Sequence, residues 1–178
     1  MTLSTSQKGV LGGMLSALAL TLVAFGLAAF AHPIAAESLA ARLHLLALCV
    51  LAPALTLFVA IARLAQHRFT TPADIDGSAL TEGTPRALLL QALLQNTLEQ
   101  LALAVPTYAA WVLAGPAAWL SLAPTAAVLF LLGRLLFFAG YAGGAPHRAF
   151  GFALTFYPTL LLFAGALACT VALLPDLS

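Results

Sequence analysis

Apolar residues run along this chain in long blocks separated by short polar ones. Five blocks, at about 9–31, 39–65, 86–113, 117–142 and 148–174, are each long enough for a helix to cross hydrocarbon, which takes roughly 20 apolar residues. The blocks are rich in Leu and Ala and lack period-2 alternation, so they predict helices and not barrel strands. "HPIAAES" and "AGPAAW" make short connections, and "QHRFTTPADIDGSALTEGTP" makes the one long polar loop. Gly140 and the following "GGAP" break the chain before the last helix, where Pro146 suits a first helical turn.

Composition turns this pattern into a class. Of 178 residues, 62% are hydrophobic and 7% charged, against about 25% charged in a soluble domain. The sequence therefore predicts an all-α integral membrane bundle. The first block has a rival reading as a signal peptide, since Lys8 precedes it and "AFA" ends it before His32. Its apolar run is longer than the roughly 7–15 residues of a signal core, which favours an uncleaved helix. Lys8, Arg63, Arg68, Arg86 and Arg148 fall on one side of the predicted helices, whereas only Arg42 falls on the other, with Glu37 and Asp176. The side richer in Lys and Arg faces the cytoplasm. The expected topology is a cytoplasmic N-terminus and a C-terminus outside.

One apolar block carries a polar interruption. "LLQNTLEQLAL" sets Gln95, Asn96, Glu99 and Gln100 within two turns of the third helix. With Gln95 at zero, 100° per residue puts Glu99 at about 40°, Asn96 at about 100° and Gln100 at about 140°, read as one polar face. A carboxylate in mid-membrane costs about 2.5–3.5 kcal/mol on insertion scales, so Glu99 must face the bundle interior, take a proton or meet a cation. A cation is offered by the fourth helix: "GRLLFFAGYAGGAPHR" places Arg134 in an apolar run, Tyr141 seven residues later and Arg148 beyond the break. Pairing of Glu99 with Arg134 is allowed by depth. Two readings of the cluster remain open, a polar lock between helices and a site for a small anionic, amide-rich ligand entering from the cytoplasm. In the second, the arginines grip carboxylates, Asn96 pairs with amides and Glu99 accepts from an ammonium.

Taken together, "QNTLEQ" and "GRLLFFAGYAGGAPHR" resemble the MAPEG family, the membrane-associated proteins of eicosanoid and glutathione metabolism. The family pattern is Asn-x-x-Glu on one helix, then Arg, a Tyr seven residues on and a further Arg, here Asn96, Glu99, Arg134, Tyr141 and Arg148. Ala62–Arg63 closing the second helix, with "TTPAD" after it, is similar to the family's first loop. The likeness spans about residues 40–174. It implies a bacterial-type member in an inner membrane, with a four-helix domain at 39–178 preceded by an extra transmembrane helix within 1–38.

The resemblance further implies a homotrimer that binds the co-substrate glutathione between subunits near the cytoplasmic face. It would act as a transferase or peroxidase on lipophilic electrophiles arriving from the membrane lipids. Arg148 would be the catalytic residue that stabilises the thiolate, while Asn96, Glu99, Arg134, Tyr141, Gln95 and Arg63 would hold the peptide. The sequence departs from the family pattern at three positions. Ala92 stands where an arginine is common, Phe137 where an aromatic hydroxyl is common, and Gln100 where Tyr or Thr is frequent. This leaves fewer anion-binding groups than the family pattern has. A non-catalytic relative binding a lipid is an alternative. So is a small transporter with Glu99 as proton carrier, which the lack of internal repeats disfavours.

Other chemistry finds little support. His32, His44, His67 and His147 have no metal-ligand spacing, and Asp74, Asp76 and Glu82 lack a calcium-loop pattern and read as a solvated loop face. No basic run points to nucleic acid. Cys49 and Cys169, far apart in apolar blocks, read as buried free thiols. Phe137, Phe138, Trp111 and Trp119 read as lipid-facing or interfacial aromatics.

Overall fold

The computed structural model describes residues 2–30, 34–77 and 80–172. His32 and Asp176, placed by the sequence reading in a loop and on the far side, lie outside them. Five long helices follow in chain order: α1 (Thr5–Phe30), α2 (Leu39–Thr70), α3 (Pro85–Ala114), α4 (Leu122–Gly140) and α5 (Ala145–Ala172). All five are long and apolar enough to span a membrane. This is an integral membrane protein.

Local chemistry sets the helix ends where hydropathy does not. α1 begins four residues before its apolar block because Ser4 and Gln7 cap each other, Ser4 N donating to Gln7 Oε1 (2.8 Å) and Gln7 N to Ser4 Oγ (3.3 Å). Ser38 caps α2 by accepting from Ala41 N, and Thr84 caps α3 by accepting from Ala87 N, with Pro85 in the first turn. At its other end α2 runs past the apolar block to Thr70, carrying His67 and Arg68 into its last turn, a favourable end for cations.

The helices bury small residues and turn large ones outward. Ala104, Ala123, Ala126 and Ala166 are buried together with Tyr108, Trp111, Val112, Phe130 and Leu162, forming the core shared by α2 to α5. Leu51, Leu55, Phe58, Leu135 and Phe163 are exposed to the lipid side. Small side chains let membrane helices approach closely, which replaces the hydrophobic drive missing in lipid. α4 packs chiefly on α5, α1 on α5 and α2 on α3. Trp111 is 4% exposed and Phe137 3% exposed, correcting the expectation that both face lipid. Trp111 is held inside by donating Nε1 to the Trp119 carbonyl at 3.2 Å.

Arg42, alone on its side in the sequence reading, ties two connections together. Its Nη1 donates to the carbonyls of Val112 (2.7 Å), Leu113 (3.0 Å) and Gly115 (3.2 Å), and its Nε to Ala36 O (3.3 Å). The Val112, Leu113 and Gly115 carbonyls lie at the end of α3, where helical partners are missing. Hydrogen bonds to a charged group are worth about 1.5–3 kcal/mol each, less where water competes. Arg42→Met is expected to lower stability by about 2 kcal/mol, read as an earlier thermal transition in detergent, with the α3–α4 connection losing amide protection first.

The long loop is anchored through Asp74. Its carboxylate is 1% exposed and accepts from Thr84 Oγ1 (2.6 Å), Thr84 N (2.7 Å) and His67 Nε2 (2.9 Å). Asp74 is therefore not part of a solvated acidic face, although Asp76 and Glu82 are exposed. The hydrogen bonds from Thr84, hydroxyl and backbone, hold its pKa below the ordinary 3.8, against the opposing effect of burial. A lowered carboxyl pKa contributes stability that is full above the unfolded value and lost as pH falls through the folded one. Loop amides near Asp74 are expected to keep their protection factors down to about pH 4 and to lose them progressively below it. Asp74→Asn should flatten that dependence in hydrogen exchange.

Candidate functional site

The candidate site lies where α3, α4, the α4–α5 turn and the first turns of α5 meet. Arg134 is fully buried on α4. Its Nη1 donates to Asn96 Oδ1 on α3 at 2.8 Å and its Nε to Thr155 Oγ1 on α5 at 3.2 Å. Thr155 in turn donates to the Gly151 carbonyl at 2.9 Å. The guanidinium also sits 4.1 Å from the centre of the Phe137 ring. Among the described residues its buried Nη2 has no partner, and no carboxylate pairs with the guanidinium. The buried cation is thus held by neutral oxygens and a π face.

A ladder of two rings between two cations leads outward from Arg134 to Arg148. Phe137 meets Tyr141 edge-on, ring centres 5.2 Å apart, and Arg148 lies over the Tyr141 ring at 4.4 Å. The return of Arg148 to Tyr141 depends on the turn between them. Gly144, at φ +91°, adopts the left-handed region, where a side chain would be strained. Asn96, Tyr141 and Arg148 border an open recess of about 380 Å³, walled elsewhere by Phe137, Phe152 and α1. Arg148 is half-buried and rests on the Tyr141 ring; among the described residues its side chain makes no hydrogen bond or ion pair. Its donors are free for an incoming anion.

Not every predicted residue joins this group. Asn96, Arg134, Tyr141 and Arg148 come together, but the polar face of α3 divides. Gln100 is 5% exposed, whereas Gln95 and Glu99 are exposed and bonded to each other, Gln95 Nε2 donating to Glu99 Oε1 at 3.0 Å. An arc of about 140° is too wide to be one face, which corrects the sequence reading. Glu99 and Arg134 do not pair, since Asn96 takes the position nearest the guanidinium. Arg63 lies in a different recess of about 230 Å³ with Gln66, His67, Thr70 and Arg86, sharing no lining residue with the first. Sequence reasoning missed Thr155, although a Gly-x-x-x-Thr step in an apolar helix signals close packing. It also missed Val10 and Met14 of α1, for which no signal exists in the chain.

Asn96, Arg134, Tyr141 and Arg148 fall inside a stretch that matches a known family, with the MAPEG family pattern covering residues 41–168. The chain belongs to the MAPEG family. No curated protein and no solved structure matches it. As a MAPEG protein it carries all but the outermost residues of α2 to α5 within the family segment, whereas α1 lies outside it. Of the five residues that carried the resemblance, the fold gathers Asn96, Arg134, Tyr141 and Arg148 and leaves Glu99 exposed on α3 beside Gln95.

Proposed function

We propose that this MAPEG protein is a glutathione-dependent transferase or peroxidase for lipophilic electrophiles, binding glutathione at the cytoplasmic side between subunits of a homotrimer. The observation that carries the reading is Arg148. Its guanidinium borders a largely apolar recess, is oriented by the Tyr141 ring and has no acidic neighbour among the described residues. A cation so placed lowers the pKa of a nearby thiol and raises the thiolate fraction. The thiol proton leaves to water. In the transferase reaction the sulfur lone pair forms a C–S bond as the leaving group departs with the electrons of its own bond. The peroxidase reaction instead begins with attack on the O–O bond of a hydroperoxide; a second glutathione completes a disulfide, with alcohol and water as the other products.

Asn96, with its oxygen taken by Arg134, keeps its Nδ2 donors for a ligand carbonyl or carboxylate. A ligand carboxylate would also offset the buried charge of Arg134. The homotrimer has its own support in Glu99. It lies midway along α3 yet is exposed on this single chain, where hydrocarbon would disfavour it. A second copy covering the Gln95–Glu99 face would take that carboxylate out of contact with hydrocarbon.

Purified protein mixed with glutathione is expected to show ultraviolet thiolate absorbance. Arg148→Leu should remove it and lower kcat/KM about a hundredfold, the scale for losing one preorganised donor to developing charge. Arg148→Lys should recover part of both. Wild-type protein that neither binds glutathione nor generates thiolate would overturn the reading.

A further inference from the structure

The recess beside Arg148 is closed on one side by a helix outside the family segment. Val10 and Met14, one turn apart on α1, line it together with Tyr141 and Arg148. Their position is fixed by the glycines beside them. A Cβ at Gly9 would come 3.0 Å from Pro146 Cβ, and one at Gly13 would come 3.0 Å from Phe150 N and 3.2 Å from Ala149 Cβ. Such spacing means α1 backbone lies against the first turns of α5. Farther along, Ala17 and Thr21 are fully buried, and Ser121 Oγ donates to the Ala28 carbonyl at 2.7 Å. α1 is seated along its whole length, so the Val10–Met14 strip stands at a set distance from Arg148.

The space thus bounded has two chemically different ends. Arg148, Tyr141 and Asn96 supply charge and hydrogen bonds, while Val10, Met14, Phe137 and Phe152 supply apolar surface. Its volume of about 380 Å³ falls at the small end of the about 300–1,000 Å³ usual for small-ligand sites. Met14 is 37% exposed and is flexible, suiting a wall that meets differing shapes.

Resting on the glutathione reading, we propose that α1 is the specificity element of this enzyme. Val10 and Met14 pack against the apolar body of the electrophile, and then of the thioether product, beside the sulfur that Arg148 stabilises. The substrates so selected carry a compact alkyl or aryl group next to the reactive carbon. Residues within the family segment hold the peptide, and the added helix sets the size of what is joined to it.

The test uses product analogues, S-methylglutathione and S-hexylglutathione, titrated into the full-length protein in detergent. Wild type should bind the hexyl form at least about tenfold more tightly, the gain expected from burying a few methylenes. Met14→Trp and Val10→Trp should reduce that advantage to about twofold while S-methylglutathione affinity stays within about twofold of wild type. Met14→Ala, which opens the space, should keep the hexyl preference and favour longer chains. Leu22→Trp, at a lipid-facing position 54% exposed and far along α1, should change nothing. Failure of wild type to bind S-methylglutathione would overturn the glutathione reading and this proposal with it. Binding of S-methylglutathione with a hexyl advantage indifferent to Val10 and Met14 would overturn the proposal alone.

Discussion

Gly151→Leu is expected to destabilise the bundle by more than about 3 kcal/mol, beyond the usual cost of overpacking a core, and to abolish assembly of the candidate site. The reason is the crossing of α4 and α5. A Cβ at Gly151 would run into Phe137 N and lie 2.8 Å from Gly133 O, and one at Gly133 would lie 2.5 Å from Thr155 Oγ1 and 2.9 Å from Gly151 O. These obstacles are mostly backbone, which cannot rotate aside as a side chain can. The helices must separate, and the hydrogen bond from Arg134 to Thr155 breaks as they do. Gly151→Ala should show the same effect in smaller measure, about 1–3 kcal/mol. Thermal unfolding in detergent reads the stability, and binding of S-methylglutathione reads the site. A Gly151→Leu protein that melts with wild type would show that the crossing is looser than this geometry requires.

Much of the architecture is visible in the chain because lipid imposes one rule, that apolar helices must be long enough to span it. All five spans are legible for that reason. Their ends are less so: the polar first turn of α1 and the last turn of α2 are helical through Ser4–Gln7 capping and favourable terminal cations, which hydropathy does not see. Arg134 stands out as a cation in an apolar run, and its link to Tyr141 and Arg148 follows from spacing on α4 and the glycine turn. Its partner on α3 does not follow. Choosing between Asn96 and Glu99 depends on helix rotation by a few tens of degrees, and Coulomb attraction alone suggests the carboxylate. The loop acids look alike in sequence, yet Asp74 alone meets Thr84 and His67. No local rule could place Val10 and Met14 in the site, because their position depends on how α1 seats on α5.

Arg134 offers the second large expected effect, and it separates a structural lock from a binding site. Two substitutions remove the same hydrogen bonds but differ in volume. Arg134→Ala leaves a void where a fully buried side chain stood and should cost about 2–5 kcal/mol. Arg134→Met keeps most of the volume and removes a buried charge that no carboxylate among the described residues offsets. Replacing buried ionic groups by apolar ones of similar size is often neutral or stabilising, so Arg134→Met should unfold within about 1 kcal/mol of wild type or later. Both variants free Asn96 from its 2.8 Å bond and withdraw the positive charge, and both should weaken S-methylglutathione binding by about tenfold to a hundredfold, the worth of a charge-assisted hydrogen bond. The Met variant would then be stable and unable to bind. If it instead unfolds as early as the Ala variant while binding in the surviving folded fraction is intact, Arg134 is a lock between α3, α4 and α5. With the stable, non-binding result, the uncompensated charge is kept in the bundle at a cost in stability because the ligand requires it.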